Sequence, residues 1–504
     1  MATTSRVVFA LLCFLHDSAG ALRFASYYGD HMVLQRSPDR AVLWGYGPEG
    51  AQVTVSLLGP SVQKTRPVSV TKGIWRVTLD PVVPGGPYNV TAAAVDGDSA
   101  TLTDVLFGDV WLCGGQSNMY FETSQVFNAS EELALAAAYP HVRTFMVALR
   151  QSETELTDLI KVEFPWSVPS ARGVANFSAV CWLFGRYMYE NLKYPVGLVE
   201  SCWGGTPIES WSSPRALQQC GLEANTNSSL PEMKNSVLWN SMIHPLLNMT
   251  IKGAIWYQGE ANADYHQDKY NCSFPAMISD WRMAFHQGSG GQTAKDFPFG
   301  FVQLCTYQKG SLDDGFPNIR WHQTADIGFV PNPKMHRTFM AVALDLPDET
   351  SPYGTIHPRD KQDVAHRLTL GARAVAYHEK VSFLGPFPSQ ILSVQLYVNI
   401  TYNQKVSVTP SKDIFEICCS ELGAPCGPTS IWVPAPIMHW GPTTVQLCAS
   451  MCPPTKEVAA LRYAWRDWPC DFKACPIYSA NRILPAPPFI INRYLQKTLE
   501  AGKE

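Results

Sequence analysis

Charge is what this chain has least of. Only 16% of its residues are charged, and 43 acidic against 39 basic side chains leave a formal net charge of −4. With no basic or acidic run, the sequence carries no electrostatic footprint for nucleic acid, which argues against such a partner. In an acidic compartment, full protonation of the twelve histidines would set an upper limit of +8. Long apolar runs are missing as well. Val7 to Leu15 spans nine residues, far short of the ~20 that cross a bilayer as a helix. No other run reaches spanning length, so a soluble mature chain without a membrane span is expected. Arg6 before that stretch and Ser18-Ala-Gly-Ala21 after it make residues 1–21 read as a secretory leader.

The rest of the composition agrees with a secretory leader. Asn-X-Ser/Thr acceptors stand at Asn89, Asn128, Asn176, Asn227, Asn248, Asn271 and Asn399, a density that points to a glycosylated surface. Thirteen cysteines remain once Cys13 leaves with the leader. Seven of them, Cys418, Cys419, Cys426, Cys448, Cys452, Cys470 and Cys475, crowd into the last 87 residues. In an oxidising compartment that cluster reads as disulfides. A zinc site is the runner-up, since paired Cys-X2-Cys spacing and nearby histidines are lacking. An odd total leaves at least one free thiol. Cys113 and Cys202, each at an apolar strand, are the expected unpaired core cysteines.

A chain of 504 residues exceeds what one hydrophobic core usually supports. Residues 22–105 carry short β-like runs, Val42–Trp44, Gln52–Ser56, Trp75–Leu79 and Tyr88–Ala92, punctuated by Gly/Pro turns at sandwich-like spacing. From 106 to 380, strands alternate with helices, which predicts an α/β domain with a parallel sheet. The strands are Val110–Cys113, Pro195–Glu200, Ile251–Tyr257, Phe299–Leu304 and Thr338–Leu344; the helices are Phe177–Tyr194 and Asp360–Tyr377. Residues 381–504 return to β character, with a Pro485-Ala-Pro-Pro488 stretch unsuited to a central strand.

The chemistry sits in the loops at the ends of the central strands. Gly114-Gly-Gln-Ser117, Cys202-Trp-Gly-Gly-Thr206, Gln258-Gly-Glu-Ala-Asn262 and Ile356-His-Pro-Arg359 come to one edge if the strands are parallel. Together they form a parts list for acyl transfer. Ser117 needs a base, and His357 is the candidate. Backbone N–H groups of Ser117 and of Gly204 or Gly205, with the Gln258 amide, would form an oxyanion hole.

Gly-Gln-Ser-Asn-Met, Cys-Trp-Gly-Gly-Thr-Pro-Ile-Glu-Ser-Trp, Trp-Tyr-Gln-Gly-Glu-Ala-Asn and Ile-His-Pro-Arg-Asp-Lys resemble the sialate O-acetylesterases, a branch of the SGNH-type hydrolases. The likeness extends across most of the chain, from Gly29-Asp-His-Met-Val-Leu-Gln35 to Leu484-Pro-Ala-Pro-Pro-Phe489. It implies a three-layer α/β/α hydrolase domain flanked by two β-rich domains. It also implies removal of O-acetyl groups, notably the 9-O-acetyl of sialic acid, free or on glycoconjugates. Ser117 would be the nucleophile and His357 the base, without metal or cofactor, in a lysosomal or secreted enzyme. One departure stands out. SGNH enzymes usually carry an Asp two or three residues before the histidine, where this chain has Thr355 and Gly354. The acid would then be Glu260, from the Gln-Gly-Glu loop, or Asp345, Asp348 or Glu349, or the site runs as a dyad. Arg359 or Arg172 near the pocket would favour a sialic acid carboxylate. Other readings are an esterase for different acetylated sugars such as xylan, and a carbohydrate-binding protein with an inert hydrolase core.

Overall fold

The computed structural model describes residues 20–222, 229–394, 396–427 and 429–492. The leader at 1–21, apart from its last two residues, and the acceptor Asn227 lie outside them. No helix among the described residues is long and apolar enough to cross a membrane.

The molecule is organised around one long strand. Gly85–Ala94 (β1) pairs antiparallel with the first part of Ser99–Gly115 (β2). In β2 the early residues alternate between exposed and buried, whereas all eleven from Val105 to Gly115 are buried. That change marks the passage from a half-solvated sheet to one covered on both faces. Part of the β-rich start therefore joins the central strands in a single twelve-stranded sheet, while Arg23–Phe24, Val42–Tyr46 and Ile74–Thr78 form a separate three-stranded one, and β2 runs straight through residue 105.

The remaining central strands are Val142–Val147 (β3), Val162–Ser167 (β4), Val196–Cys202 (β5), Gly253–Tyr257 (β6), Phe299–Gln303 (β7) and Thr338–Val342 (β8). Their order is β4-β3-β5-β2-β6-β7-β8. Every neighbouring pair is parallel except β3 with β4. The chain builds one side of β2 through β3 and β5, then crosses to β6 and continues outward. At such a reversal the loops diverge beyond the carboxyl ends of the strands and leave a crevice.

Short connectors and long helices complete this unit: Ser117–Tyr120 (α1), Ala179–Leu192 (α2), Tyr270–Gly288 (α3) and Lys361–Tyr377 (α4). Ser178 Oγ caps α2 by accepting from the Cys181 N–H, and Asp360 caps α4 by accepting from the Asp363 N–H. Helices α2 and α4 pack on each other and on the sheet. Phe274 of α3 meets Phe299 and Phe301 of β7 edge-on.

A mixed sheet with parallel strands is thus followed by a separate β-rich region, whose core is formed by residues such as Val398, Ile400, Phe415, Leu447 and Phe489. Three disulfides staple that region: Cys418–Cys426, Cys419–Cys452 and Cys470–Cys475. Two more lie earlier, Cys220–Cys272 and Cys113–Cys181. The last corrects the expectation that Cys113 is unpaired. Cys113 on β2 and Cys181 in the first turn of α2 have their Cα atoms 5.9 Å apart, within bridging range. Cys202 is free, as are Cys305 and Cys448, among the described residues.

The acceptors Asn89, Asn128 and Asn176 are exposed, and Asn248, Asn271 and Asn399 are half-buried. Asn271 donates to Asp326 at 2.6 Å, and Asn399 accepts from Gln446 at 2.9 Å. Those two amides are already engaged.

Candidate active site

The serine is presented by a turn that only glycine can make. Gly115 sits at φ 139°, and a Cβ there would lie 2.1 Å from the Tyr257 carbonyl oxygen. The Gln116 N–H then donates to that same carbonyl at 2.9 Å, while Gln116 Oε1 accepts from the Ala261 N–H at 3.1 Å. The end of β2 is thereby fastened to the end of β6, and Ser117 begins α1 at the edge of the crevice.

Across the crevice stands His357, from the loop between β8 and α4. Its Nε2 lies 2.9 Å from Ser117 Oγ, and its Nδ1 lies 2.8 Å from the Tyr353 carbonyl oxygen. A carbonyl only accepts, so Nδ1 carries the proton and Nε2 is left as the acceptor for the serine hydroxyl. Phe121 stacks beside the imidazole at 27° and fixes its plane. Burial lowers the His357 pKa below the ordinary value of 6.5, and the Lys361 charge adds to that, while the Tyr353 carbonyl opposes it.

Among the described residues no carboxylate touches this histidine, which corrects the assignment of Glu260 as the acid. Glu260 Oε1 instead accepts from Asn118 Nδ2 at 2.7 Å. The other candidates are also committed elsewhere. Asp345 forms a two-pronged pair with Arg367, at 2.6 and 2.9 Å. Asp348 is paired with Arg359, and Glu349 with Lys309. Arg359 spends its guanidinium on Asp348 and lies over the Phe127 ring. Arg172 is exposed on the short helix Ala171–Ala175.

Gln258 is a second correction. Its Nε2 donates to Asn262 Oδ1 at 2.7 Å and to the Thr206 carbonyl at 3.3 Å, and its Oε1 accepts from the Tyr270 hydroxyl at 2.9 Å. Both amide hydrogens are used inside a fully buried cluster, so none is aimed at a substrate oxygen. Its effect is to hold the loop that carries Gly204. That loop runs past the nucleophile: a Cβ on Gly204 would lie 3.4 Å from Ser117 Cβ, and the Trp203 N–H donates to the Gly115 carbonyl at 3.1 Å. Gly204 and Gly205 are both exposed, Gly205 with φ 74°. The glycine loop and the serine turn therefore meet, while the glutamine stands behind them.

Sequence reading missed two residues that the structure brings in. Asn118, next to the serine, is 1% exposed; besides Glu260 it donates to the Ile356 carbonyl at 2.9 Å. Lys361, the first residue of α4, is fully buried. Both lie inside family motifs, Gly-Gln-Ser-Asn-Met and Ile-His-Pro-Arg-Asp-Lys, but nothing in the string says that their side chains turn inward.

Within β5, desolvation pushes Glu200 up to about 8, although the Ser178 N–H and the Cys202 thiol both donate to it. Among the described residues, no group of three or more His, Cys, Asp or Glu side chains is arranged to hold a metal ion.

The model for carbohydrate esterases described as sialic acid-specific acetylesterase matches residues 107–346, and that of the sialate O-acetylesterase C-terminal domain matches residues 389–493. A solved carbohydrate acetylesterase from Xanthomonas citri superposes with a TM-score of 0.79 at 28% identity, covering 94% of this chain and 99% of its own. Fold and matches together put the chain in the class of carbohydrate esterases. Among curated proteins, the sialate O-acetylesterase of Homo sapiens is 51% identical over 96% of this chain and 95% of its own length. That of Mus musculus is 50% identical over 96% and 97%. The chain belongs to the sialate O-acetylesterase family.

Proposed function

We propose that the chain is a serine esterase that removes O-acetyl groups from sialic acids, the 9-O-acetyl in particular, through an acyl-enzyme. The single observation that carries this is the contact of 2.9 Å between Ser117 Oγ and His357 Nε2, with Nδ1 held by a carbonyl. Ser117 attacks the acetyl carbonyl carbon and Nε2 takes the hydroxyl proton. The N–H groups of Ser117 and Gly204 face the developing oxyanion. When the tetrahedral intermediate collapses, Nε2 returns the proton to the departing sugar oxygen, leaving acetyl on Ser117. Water, deprotonated by the same nitrogen, then releases acetate and restores the serine. In this reading the imidazolium is supported by the Tyr353 carbonyl in place of an acid, so the site works as a dyad. The central unit would be the SGNH-type three-layer arrangement, between β-rich regions at 22–105 and 381–504, in an enzyme that is lysosomal or secreted.

The test is acetate release from 9-O-acetylated sialic acid, run beside acetylated xylan, from pH 4 to 8. Wild type is expected to prefer the sialic acid, and Ser117→Ala and His357→Ala to lose activity on both. Because the base must be neutral, activity is expected to rise with pH through an apparent pKa below 6.5. Preference for xylan would overturn the substrate, and full activity in Ser117→Ala would overturn the mechanism.

A further inference from the structure

The most unusual charged group near the site is one that the dyad chemistry does not use. Lys361 is fully buried, where an ammonium normally needs several partners. Among the described residues its Nζ has one hydrogen bond, to Asn118 Oδ1 at 2.7 Å, and it lies 4.8 and 5.2 Å from the centroids of the Phe121 and Tyr257 rings. Asn118 passes this contact on in two directions, to Glu260 Oε1 at 2.7 Å and to the Ile356 carbonyl at 2.9 Å. Asn118 lies one residue after the serine and Ile356 one before the histidine. Glu260 belongs to the loop whose Ala261 N–H holds Gln116. One amide therefore joins three strand-end loops, and Lys361 fixes which way that amide faces. With the ammonium donating to Oδ1, Nδ2 is compelled to donate to the other two.

We propose that Lys361 is a positioning residue for the Ser117–His357 pair, acting through Asn118 to lock the serine turn against the histidine loop. The proposal rests on the esterase reading for its substrate, but on the dyad alone for its geometry.

The electrostatics are consistent with that role. Glu260, Asp360, Asp348 and Cys305 are the titratable groups facing the lysine, beside His357 itself. Asp360 is paired with Lys473, and Asp348 with Arg359. Burial pushes the Cys305 thiol up to about 11, so it is neutral. Glu260 is left as the facing carboxyl: burial raises its pKa above the ordinary 4.5, while the Asn118 hydrogen bond and the Lys361 charge oppose that, and its Oε2 is buried without a hydrogen-bond partner among the described residues. Burial brings Lys361 itself down to about 8, so it is charged across the acidic and neutral range. There its charge holds the His357 pKa down, which keeps the base neutral further into acid.

The experiment compares wild type, Lys361→Met, Asn118→Ala and their double variant, with Ser117→Ala as the blank. Two readouts are taken from pH 4 to 8: acetate release from 9-O-acetylated sialic acid, and the rate at which a fluorophosphonate labels Ser117. Lys361→Met is expected to lose about 10- to 100-fold in kcat with KM nearly unchanged, and its acid limb should move to higher pH. The double variant should be no slower than the worse single variant, because the lysine acts through the asparagine. Glu260→Gln, which keeps an acceptor for Asn118, should fall less than Glu260→Ala. If Lys361→Met does not fold, the Glu260 pair and Asn118→Ala carry the test. An unchanged kcat and acid limb in a folded Lys361→Met, a loss confined to KM, or additive losses in the double variant would each overturn the proposal. If wild type released no acetate while Ser117 was still labelled, the substrate reading would fall alone. The labelling rates would then decide the role of Lys361.

Discussion

Removing the Cys113–Cys181 bridge probes the strand on which the site depends. The two cysteines are 68 residues apart, and closing a loop of that length lowers unfolded-chain entropy by about 4 kcal/mol at 25 °C. Both residues are fully buried, so truncation to alanine adds about 1 kcal/mol of lost packing at each site. The Cys113→Ala/Cys181→Ala variant is therefore expected to lose about 4–6 kcal/mol. With a urea dependence of about 3 kcal/mol/M, its unfolding midpoint should drop by between ~1 and ~2 M. The assay is urea unfolding without reductant, followed by tryptophan fluorescence and by residual esterase activity. Alkylation of the unreduced, denatured wild type supplies the control: Cys202, Cys305 and Cys448 should react, and Cys113 and Cys181 only after reduction. A midpoint shift under ~0.3 M, or alkylation of Cys113 without reductant, would refute the reasoning.

The same network of contacts sets three further expectations. Gln258→Ala takes the side-chain amide from the Thr206 carbonyl, from Asn262 Oδ1, which keeps the Ile208 N–H, and from the Tyr270 hydroxyl, which keeps the carbonyl of residue 258, a loss of about 2 kcal/mol. Calorimetry should show that fall; an undiminished melting temperature with the ~100-fold or greater kcat loss of an oxyanion donor would put Gln258 back in the oxyanion hole. Gly115→Ala puts a methyl 2.1 Å from the Tyr257 carbonyl at φ 139°. It should unseat the end of β2 and abolish phosphonate labelling of Ser117; retained labelling would count against that turn. Glu200 has its folded pKa raised from 4.5 to about 8, so it favours folding below pH 4.5 and that contribution is lost as pH rises to 8. Glu200→Gln keeps an acceptor for the Ser178 N–H and should remove this fall, on the order of a few kcal/mol, from urea midpoints measured across the range. An unchanged pH dependence would contradict it.

Much of the fold is legible in the sequence because its strands and helices announce themselves by burial. Val196–Cys202 and Gly253–Tyr257 are buried throughout and, Glu200 and Ser201 aside, mostly apolar or aromatic, and Lys361–Tyr377 keeps one apolar face. Tyr270–Gly288 is obscured as a helix by Pro275, which stands inside it, although Tyr270, Phe274, Met277, Trp281 and Phe285 line one buried face. Val142–Val147 is six buried residues, a run too short for periodicity to separate strand from helix. The Cys113 pairing is hidden because a cysteine in an apolar run looks the same whether it packs or bonds. The serine and histidine are visible because four loops fall at strand ends. What those loops do with their side chains is not. Gln258 and Glu260 differ from substrate-facing groups only by the direction in which they turn, which depends on Asn262, Tyr270 and Asn118. Lys361 at the start of a helix reads as solvated until Phe121 and Tyr257 are seen to cover it.

The most direct measurement of the central claim is covalent labelling with a fluorophosphonate, located by peptide mass spectrometry. One label per chain is expected, on Ser117, slowed by 9-O-acetylated sialic acid and lost in His357→Ala. A label on another residue, or none in a preparation that still releases acetate, would contradict it.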